Sequence, residues 1–323
     1  MSWSTLDSSS SDLDVAPNGE GCKDQVILNQ WYPIAAVVEI KIGLVYRTVL
    51  LETSVSFGVS TSGVLLVWKS IPDVFPAGSK LISNLIINKL PIKTAFGYLW
   101  TTLGSNPKDL FLIPEIDEPD RRTMNAGSIG ISTSAPRAVE NFLDMGHFPF
   151  VHSGVLGAEP RTEVVDYNIE IKDGEVIASG CKFPQPKAGA GSVEGIITDY
   201  LYRVPHPYCV LLYKSGSFET ERLDVVGLFL QPITQEKVRG HMLLSLLDNV
   251  TSDTAIKKFQ LGIFSQDKPI LENQVPKRLP LSTLSETPIR ADKSSIAYRR
   301  WLSEMGVNYG VISDTELDHR NKN

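Results

Sequence analysis

The sequence predicts an α+β protein, a small antiparallel β unit followed by a six-stranded antiparallel sheet wrapped on helices. Three observations carry this. The first third holds short β-rich runs separated by Gly and Ser turns. The middle holds longer alternating runs with short connections, and short connections favour an antiparallel meander. Two helical segments close the chain. Residues 1–24 are rich in Ser, Asp and Gly and read as a disordered tail. The β unit then spans 25–115, the sheet-and-helix domain 116–312 and a second tail 313–323.

In the first unit the strand runs are Ala35–Ile40, Tyr46–Glu52, Ser54–Val59, Val64–Trp68 and Tyr98–Leu103. Asn106-Pro107 and the acidic stretch Glu115–Asp120 make a linker. A helix follows, capped by Ser134 with Pro136 in its first turn, where a missing N–H costs little. Pro149 ends it, because a proline pushes the preceding residue out of the α region. The sheet strands are Thr162–Ile171, Glu175–Phe183, Ile196–Val204, Val210–Phe218, Leu223–Leu230 and Val238–Leu246. Asp173-Gly174 between the first two is a strong two-residue hairpin signal. Lys187–Gly195 is a Gly/Ala/Ser loop, read as a solvent loop or substrate lid. One closing helix runs from Asp253 to Asn273, and the last starts at Asp292, a good N-cap.

Bulk composition excludes several classes. The formal net charge of the 323 residues is −6, which argues against nucleic acid or an anionic membrane held by bulk charge. No apolar run approaches the ~20 residues of a membrane span. The N-terminus has no basic residue before Lys23 and carries Asp7, Asp12 and Asp14, a poor signal peptide, so a cytoplasmic location is expected. The three cysteines, Cys22, Cys181 and Cys209, are far apart, odd in number and outside any CxxC or CxH pattern. That fits neither a disulfide framework nor a four-ligand zinc or iron–sulfur site.

The chain has five histidines, two of which, His147 and His152, stand in Asn141-Phe-Leu-Asp144-Met-Gly-His147-Phe-Pro-Phe-Val-His152. Asn141, Asp144 and His147 are spaced i, i+3, i+6 and drift slowly around one helix face. His152, from the exit turn, can bend back toward His147. Two imidazoles and one carboxylate on one face of a metal leave three open positions, the facial triad of Fe(II) oxygenases. Asp267, beside Pro269 on a late helix, is the best candidate for the carboxylate. Spacing alone leaves another reading open: histidines near a helix end also serve as capping or core groups, and a lone helical Asp is usually solvated. His206, between two prolines, reads as a strand-end residue, His241 as packing or surface, and His319 lies in the tail. Arg299-Arg300 reads as surface or ion-paired.

The run Asn-x-x-Asp-x-x-His-x4-His resembles the mononuclear-iron motif of the α subunits of Rieske-type oxygenases. Asn29-Gln-Trp31-Tyr-Pro33 and Gly97-Tyr-Leu-Trp100 look like the start and last strand of their N-terminal domain. Gln266-Asp267-Lys-Pro-Ile and Arg290-Ala-Asp-Lys-Ser-Ser-Ile-Ala-Tyr-Arg-Arg-Trp301 look like their C-terminal helices. The resemblance covers about residues 25–305. It implies a Rieske-like β domain followed by a helix-grip, START-like catalytic domain with a curved antiparallel sheet. It also implies His147, His152 and Asp267 as ligands of a mononuclear Fe(II), Asp144 as the carboxylate that passes the electron, and Asn141 beside the iron.

One departure matters. A Rieske cluster needs Cys-x-His and Cys-x-x-His. This chain has no histidine before His147, and the interval Lys69–Thr94, where cluster loops belong, contains none of the ligands. The β domain is therefore read as degenerate, without its [2Fe-2S] cluster. Cluster-less catalytic subunits are known among the bacterial methylxanthine N-demethylases. Glu140-Asn-Phe-Leu-Asp-Met, Leu156-Gly-Ala-Glu-Pro160, Gly180-Cys-Lys-Phe-Pro-Gln-Pro-Lys187 and Leu223-Asp-Val-Val-Gly-Leu228 look similar to theirs. The resemblance implies an O2-dependent N-demethylase acting on a methylated purine and releasing formaldehyde. Its electrons would come from NAD(P)H through a separate Rieske/flavin reductase, with a glutathione-transferase-like protein or another oxygenase subunit as a structural partner. Aromatic ring hydroxylation or O-demethylation on the same iron core stays open, as does a non-catalytic ligand-binding subunit.

Overall fold

The computed structural model describes residues 21–71, 74–192, 194–216, 221–282 and 285–313. Two compact units emerge. One runs to Leu110 and includes Gln231–Thr234; the other comprises Phe111–Leu230 and the chain from Gln235 onward.

In the first unit Asp24 opens α1 (Gln25–Leu28) by accepting the N–H groups of Val26 and Ile27. Two three-stranded antiparallel sheets follow. In one, β2 (Val45–Leu50), β3 (Thr53–Val59) and β4 (Leu65–Lys69) lie side by side. In the other, β1 (Tyr32–Ala36) and β5 (Ile92–Ala95) flank β6 (Tyr98–Thr101). β1 starts earlier than the expected Ala35–Ile40. Pro33 is tolerated because β1 is an edge strand with a register shift beside it. Residues Val37–Glu39 form a 3-10 turn instead. The expected strand Tyr46–Glu52 ends at Leu50, because Leu51 and Glu52 take φ of 49° and 64° and make the hairpin turn to β3. No Gly or Asn marks that turn; complete burial of Leu51 helps to hold it. β5 was not expected. Its IKTA sequence is half exposed and reads as loop. Val45 of β2, Trp68 of β4, and Leu81 and Ile86 of the segment leading to β5 form a buried apolar cluster, with Leu66 and Phe75 packed against it. Arg47 ties the adjoining loop down through the carbonyls of Val74 (2.8 Å) and Phe75 (3.1 Å).

The second unit is a seven-stranded antiparallel sheet with helices. Six strands form the expected meander: β8 (Asn168–Lys172), β9 (Glu175–Gln185), β10 (Ile196–His206), β11 (Cys209–Ser215), β12 (Leu223–Thr234) and β13 (Lys237–Leu246). Asp173 (φ 54°) and Gly174 (φ 80°) form the tight turn joining β8 to β9. The seventh strand, β7 (Arg122–Ile131), pairs with β13 from Arg122↔Leu246 to Ile131↔Val238. Its glycines and scarce β-branched residues hid it in the sequence. Three helices pack with this sheet: α2 (Ala135–Leu143), α4 (Asp253–Asn273) and α5 (Lys293–Glu304). A single turn, α3 (Phe148–Val151), follows α2. Ser134 Oγ caps α2 by accepting the Arg137 N–H, and Ser252 Oγ caps α4 by accepting that of Ala255. Asp292 sits at the start of α5, but its carboxylate accepts the Ile289 N–H at 2.7 Å rather than a helical one. A short parallel pair, β14 (Leu279–Pro280) with β15 (Val311–Ile312), closes the unit. Among the described residues, no helix is long and apolar enough to cross a membrane.

Candidate metal centre

Local chain chemistry decides where the two histidines sit. α2 was expected to run on to Pro149, but it stops at Leu143. Asp144 is extended (φ −80°, ψ 124°), and its Oδ1 accepts the Gly146 N–H at 2.6 Å. This side-chain turn competes with the helical bond and breaks the helix. α3 then restarts with Pro149 in its first turn, where the proline initiates rather than terminates. His147 is the N-cap residue of α3 and His152 its C-cap. The two imidazoles thus leave from opposite ends of one helical turn, with Nε2 atoms 3.2 Å apart. Phe148 holds the turn by edge contact with Phe183 of β9, centroids 5.5 Å apart. The return loop seats Gly157 so closely that a Cβ there would lie 2.7 Å from Pro149 N.

Asp267 comes from α4. Its buried residues are Ile256, Phe264, Asp267 and Leu271, so the carboxylate occupies a place in an otherwise apolar stripe. Asp267 Oδ1 lies 3.0 Å from His152 Nε2 and 3.4 Å from His147 Nε2. The opposite ring nitrogens are engaged: His147 Nδ1 donates to Asp144 Oδ2 (3.0 Å) and His152 Nδ1 to Gln266 Oε1 (2.9 Å). Both acceptors require an N–H, so Nδ1 carries a hydrogen in each ring and Nε2 of each is turned toward Asp267. Asp267 Oδ1 is buried and has no hydrogen bond of good geometry among the described residues.

Three lone-pair donors converging without a positive centre repel one another. A proton is one remedy. Burial alone would lower the pKa of His147, but the hydrogen bonds and charges of Asp144 and Asp267 outweigh it and raise it to about 9. Burial likewise works to raise that of Asp267, yet the two histidines lower it to about 2. A cation is the other remedy. Two imidazole nitrogens and a carboxylate oxygen, all within 4.8 Å of one another, can hold a metal ion. Gln266 and Asp144 supply the outer hydrogen bonds that fix such ligands. Gln266 carried no role in the sequence reading, although it precedes Asp267 directly.

Asn141 lies on α2 and lines a cavity with His147, His152 and Asp267. Tyr200, Tyr202 and Lys214 form part of the same wall. Sequence reasoning missed these three; the one available signal was a lysine inside the apolar strand Cys209–Ser215. The remaining histidines stand apart. His206 ends β10 and its Nδ1 accepts the Tyr208 N–H at 2.9 Å. Burial lowers the pKa of His241 on β13 to about 3. His319 lies outside the described residues. Arg299 is buried and ion-paired with Glu140 and Glu286, a network shared with Arg137.

Comparison with known proteins adds three findings. The domain family described as vanillate O-demethylase oxygenase C-terminal domain matches residues 131–307. The chain is 43% identical over 292 residues to the probable methylxanthine N7-demethylase NdmC of a Pseudomonas species, covering 90% of this chain and 98% of that one. Among solved structures, NdmA of Pseudomonas putida with caffeine superposes with a TM-score of 0.70 at 18% identity, over 86% of this chain and 91% of that one. Dicamba monooxygenase bound to 3,6-dichlorosalicylic acid gives 0.70 at 14% identity, over 87% and 98%. The last two likenesses show a common fold.

Proposed function

The chain belongs to the Rieske oxygenase family, and on that premise we propose that it is the catalytic subunit of a non-haem Fe(II) N-demethylase acting on a methylxanthine. The observation that carries the metal assignment is the convergence of His147 Nε2, His152 Nε2 and Asp267 Oδ1 while each ring's other nitrogen is already bonded. Two imidazoles and one carboxylate are the donor set of the Fe(II) facial triad. The NdmC likeness supports the substrate class.

Iron bound here would supply reductive activation of O2, with one oxygen atom inserted into an N-methyl C–H bond and the other leaving as water. The N-hydroxymethyl product loses formaldehyde and returns the ring N–H. Two electrons, originating in NAD(P)H, balance the reaction. The chain lacks the Cys-x-His and Cys-x-x-His pattern, so a Rieske/flavin reductase would bring its own cluster to this subunit. A glutathione-transferase-like partner would hold the assembly, and the nicotinamide donor fits a cytoplasmic setting.

Within the chain, Asp144 orients His147 and is partly exposed, with 30% of its side-chain surface accessible. Its position between His147 and the surface supports it as the group through which the electron would enter. Gln266 fixes the His152 ring. Asn141 faces the cavity beside the metal ligands. A methyl ether is the second substrate class, favoured by the O-demethylase domain match.

The test is formaldehyde release from methylxanthines by iron-loaded protein with NADH and a Rieske-containing reductase. The expected result is product that requires both the reductase and Asp267, with Asp267→Ala losing iron and turnover together. Asp144→Asn is expected to retain iron and lose reductase-driven turnover. One bound iron with no product from any methylxanthine would overturn the substrate assignment. Absence of bound iron would overturn the catalytic one.

A further inference from the structure

One wall of the metal cavity carries polar groups that the iron chemistry does not use. β10 and β11 pair with Tyr200 opposite Lys214 and Tyr202 opposite Leu212. Side chains two apart on a strand share a face, so these four stand together, and all of them line the cavity that holds His147, His152 and Asp267.

Two of these groups are anomalous. Lys214 is buried, 9% exposed, yet forms no ion pair among the described residues. Its ammonium donates to Gln185 Oε1 (3.4 Å) and to the Ala188 carbonyl, both neutral. The carboxylate across the sheet, Asp224, accepts the Leu247 N–H at 2.7 Å instead. Lys214 keeps one N–H beyond its two neutral acceptors. The second anomaly is Tyr202, 1% exposed, whose hydroxyl has no hydrogen-bond partner among the described residues; the Tyr200 hydroxyl, beside Thr198, likewise lacks a bond of good geometry. Among the described residues, a buried ammonium that feels the charge of Asp224 but makes no ion pair with it, and a buried hydroxyl without a partner, both cost stability. Stability therefore does not account for either side chain, whereas a ligand rich in acceptor atoms does.

We propose that Lys214 and Tyr202 are the donors that read the ring carbonyl oxygens of the substrate, so that the site selects planar N-methylated rings bearing such oxygens over the same rings without them. The inference rests on the methylxanthine reading and deepens it. The ligands on the helical side hold the metal, and the sheet wall, two donors on neighbouring strands, sets which ring enters. A pocket built to donate hydrogen bonds rejects an analogue that lacks the acceptors, because its own polar groups are then left unpaired.

The test is equilibrium binding by calorimetry to anaerobic, iron-loaded protein, with no turnover required. The probes are 7-methylxanthine and 1-methylbenzimidazole, fused N-methyl rings with and without carbonyl oxygens. Wild-type protein is expected to prefer the xanthine by at least tenfold. Lys214→Met is expected to weaken xanthine binding roughly 10- to 100-fold, the range for a hydrogen bond to a charged group, and to leave the benzimidazole within about twofold. Tyr202→Phe removes one oxygen atom and is expected to cost the xanthine about three- to tenfold. Melting of Lys214→Met at or above the wild-type temperature would separate ligand reading from a folding role; should that variant not fold, Tyr202→Phe carries the test. Xanthine binding unchanged in both variants would overturn the inference and leave the methylxanthine reading standing. A wild-type protein that binds neither ring, or prefers the benzimidazole, would overturn that reading and this inference with it.

Discussion

Metal and proton compete for the same lone pairs, and the geometry gives the size of that competition. His147 sits between Asp144 Oδ2 at 3.0 Å and Asp267 Oδ1 at 3.4 Å, and its pKa is raised to about 9. At pH 7.5 the ring is then about 1.5 units below its midpoint and about 97% protonated. A divalent ion must expel that proton, at a cost of about 2 kcal/mol, or roughly 30-fold in apparent affinity. Affinity is expected to rise about tenfold per pH unit from 6.5 to 8.5 and to level near 9. Co(II) titration followed by visible absorbance measures the slope, and calorimetry in buffers of different ionisation enthalpy counts the proton, about one per metal at pH 7.5. Replacing Asp267 by Asn removes one anionic neighbour, so the slope should flatten at neutral pH while the affinity itself falls. The same shift predicts the stability of the metal-free protein. A raised histidine pKa contributes stability that is full below the unfolded value of 6.5 and is lost as pH rises through about 9. Asp267, lowered to about 2, contributes stability present above 3.8 and lost as pH falls toward 2. Metal affinity that is flat between pH 6.5 and 8.5, with no proton released, would refute the convergence of lone pairs on which the metal assignment stands.

Three further outcomes follow from named contacts. Gln266→Leu removes the acceptor of His152 Nδ1, and metal affinity should drop 10- to 100-fold while the melting temperature barely moves. Gly157→Ala forces a Cβ to within 2.7 Å of Pro149 N. It should displace α3 and lower bound metal per chain, measured by elemental analysis, more than Gly262→Ala, which meets nothing within 4 Å. Arg137→Met strips the buried network of one of the two cations that bond Glu140 and Glu286, leaving Arg299. Denaturant unfolding should then show a loss of about 3 kcal/mol, with the metal-binding slope unchanged.

Elements with strong local signals were legible. The Asp173-Gly174 turn, the Ser134 cap and the period-two runs of the meander each depend on a few neighbouring residues, and the structure contains all of them. β7 was missed because its stability comes from pairing with β13, more than a hundred residues away, rather than from its own composition. The Leu51-Glu52 turn was missed for a similar reason: two non-glycine residues hold positive φ inside a buried hairpin, which no propensity anticipates. In the centre, the spacing of His147 and His152 was read as a helix end and its exit turn. The Asp144 side-chain bond to Gly146 moved the break forward and placed both rings on one short turn.

By itself, the sequence determined the chemistry available: two nearby histidines, an acidic residue on a late helix, and a first half without a Cys-x-His or Cys-x-x-His pattern. Residue type and spacing are read without a fold. Only the tertiary structure decided which atoms meet. Asp267 is more than a hundred residues from either histidine, and the packing that brings α4 beside α3 puts its Oδ1 3.0 Å from His152 Nε2. The hydrogen on Nδ1 of His152, and the burial of the Tyr202 hydroxyl and the Lys214 ammonium, were likewise fixed by neighbours distant in the chain. Burial and hydrogen bonding are properties of the folded surroundings, and the residue itself does not encode them.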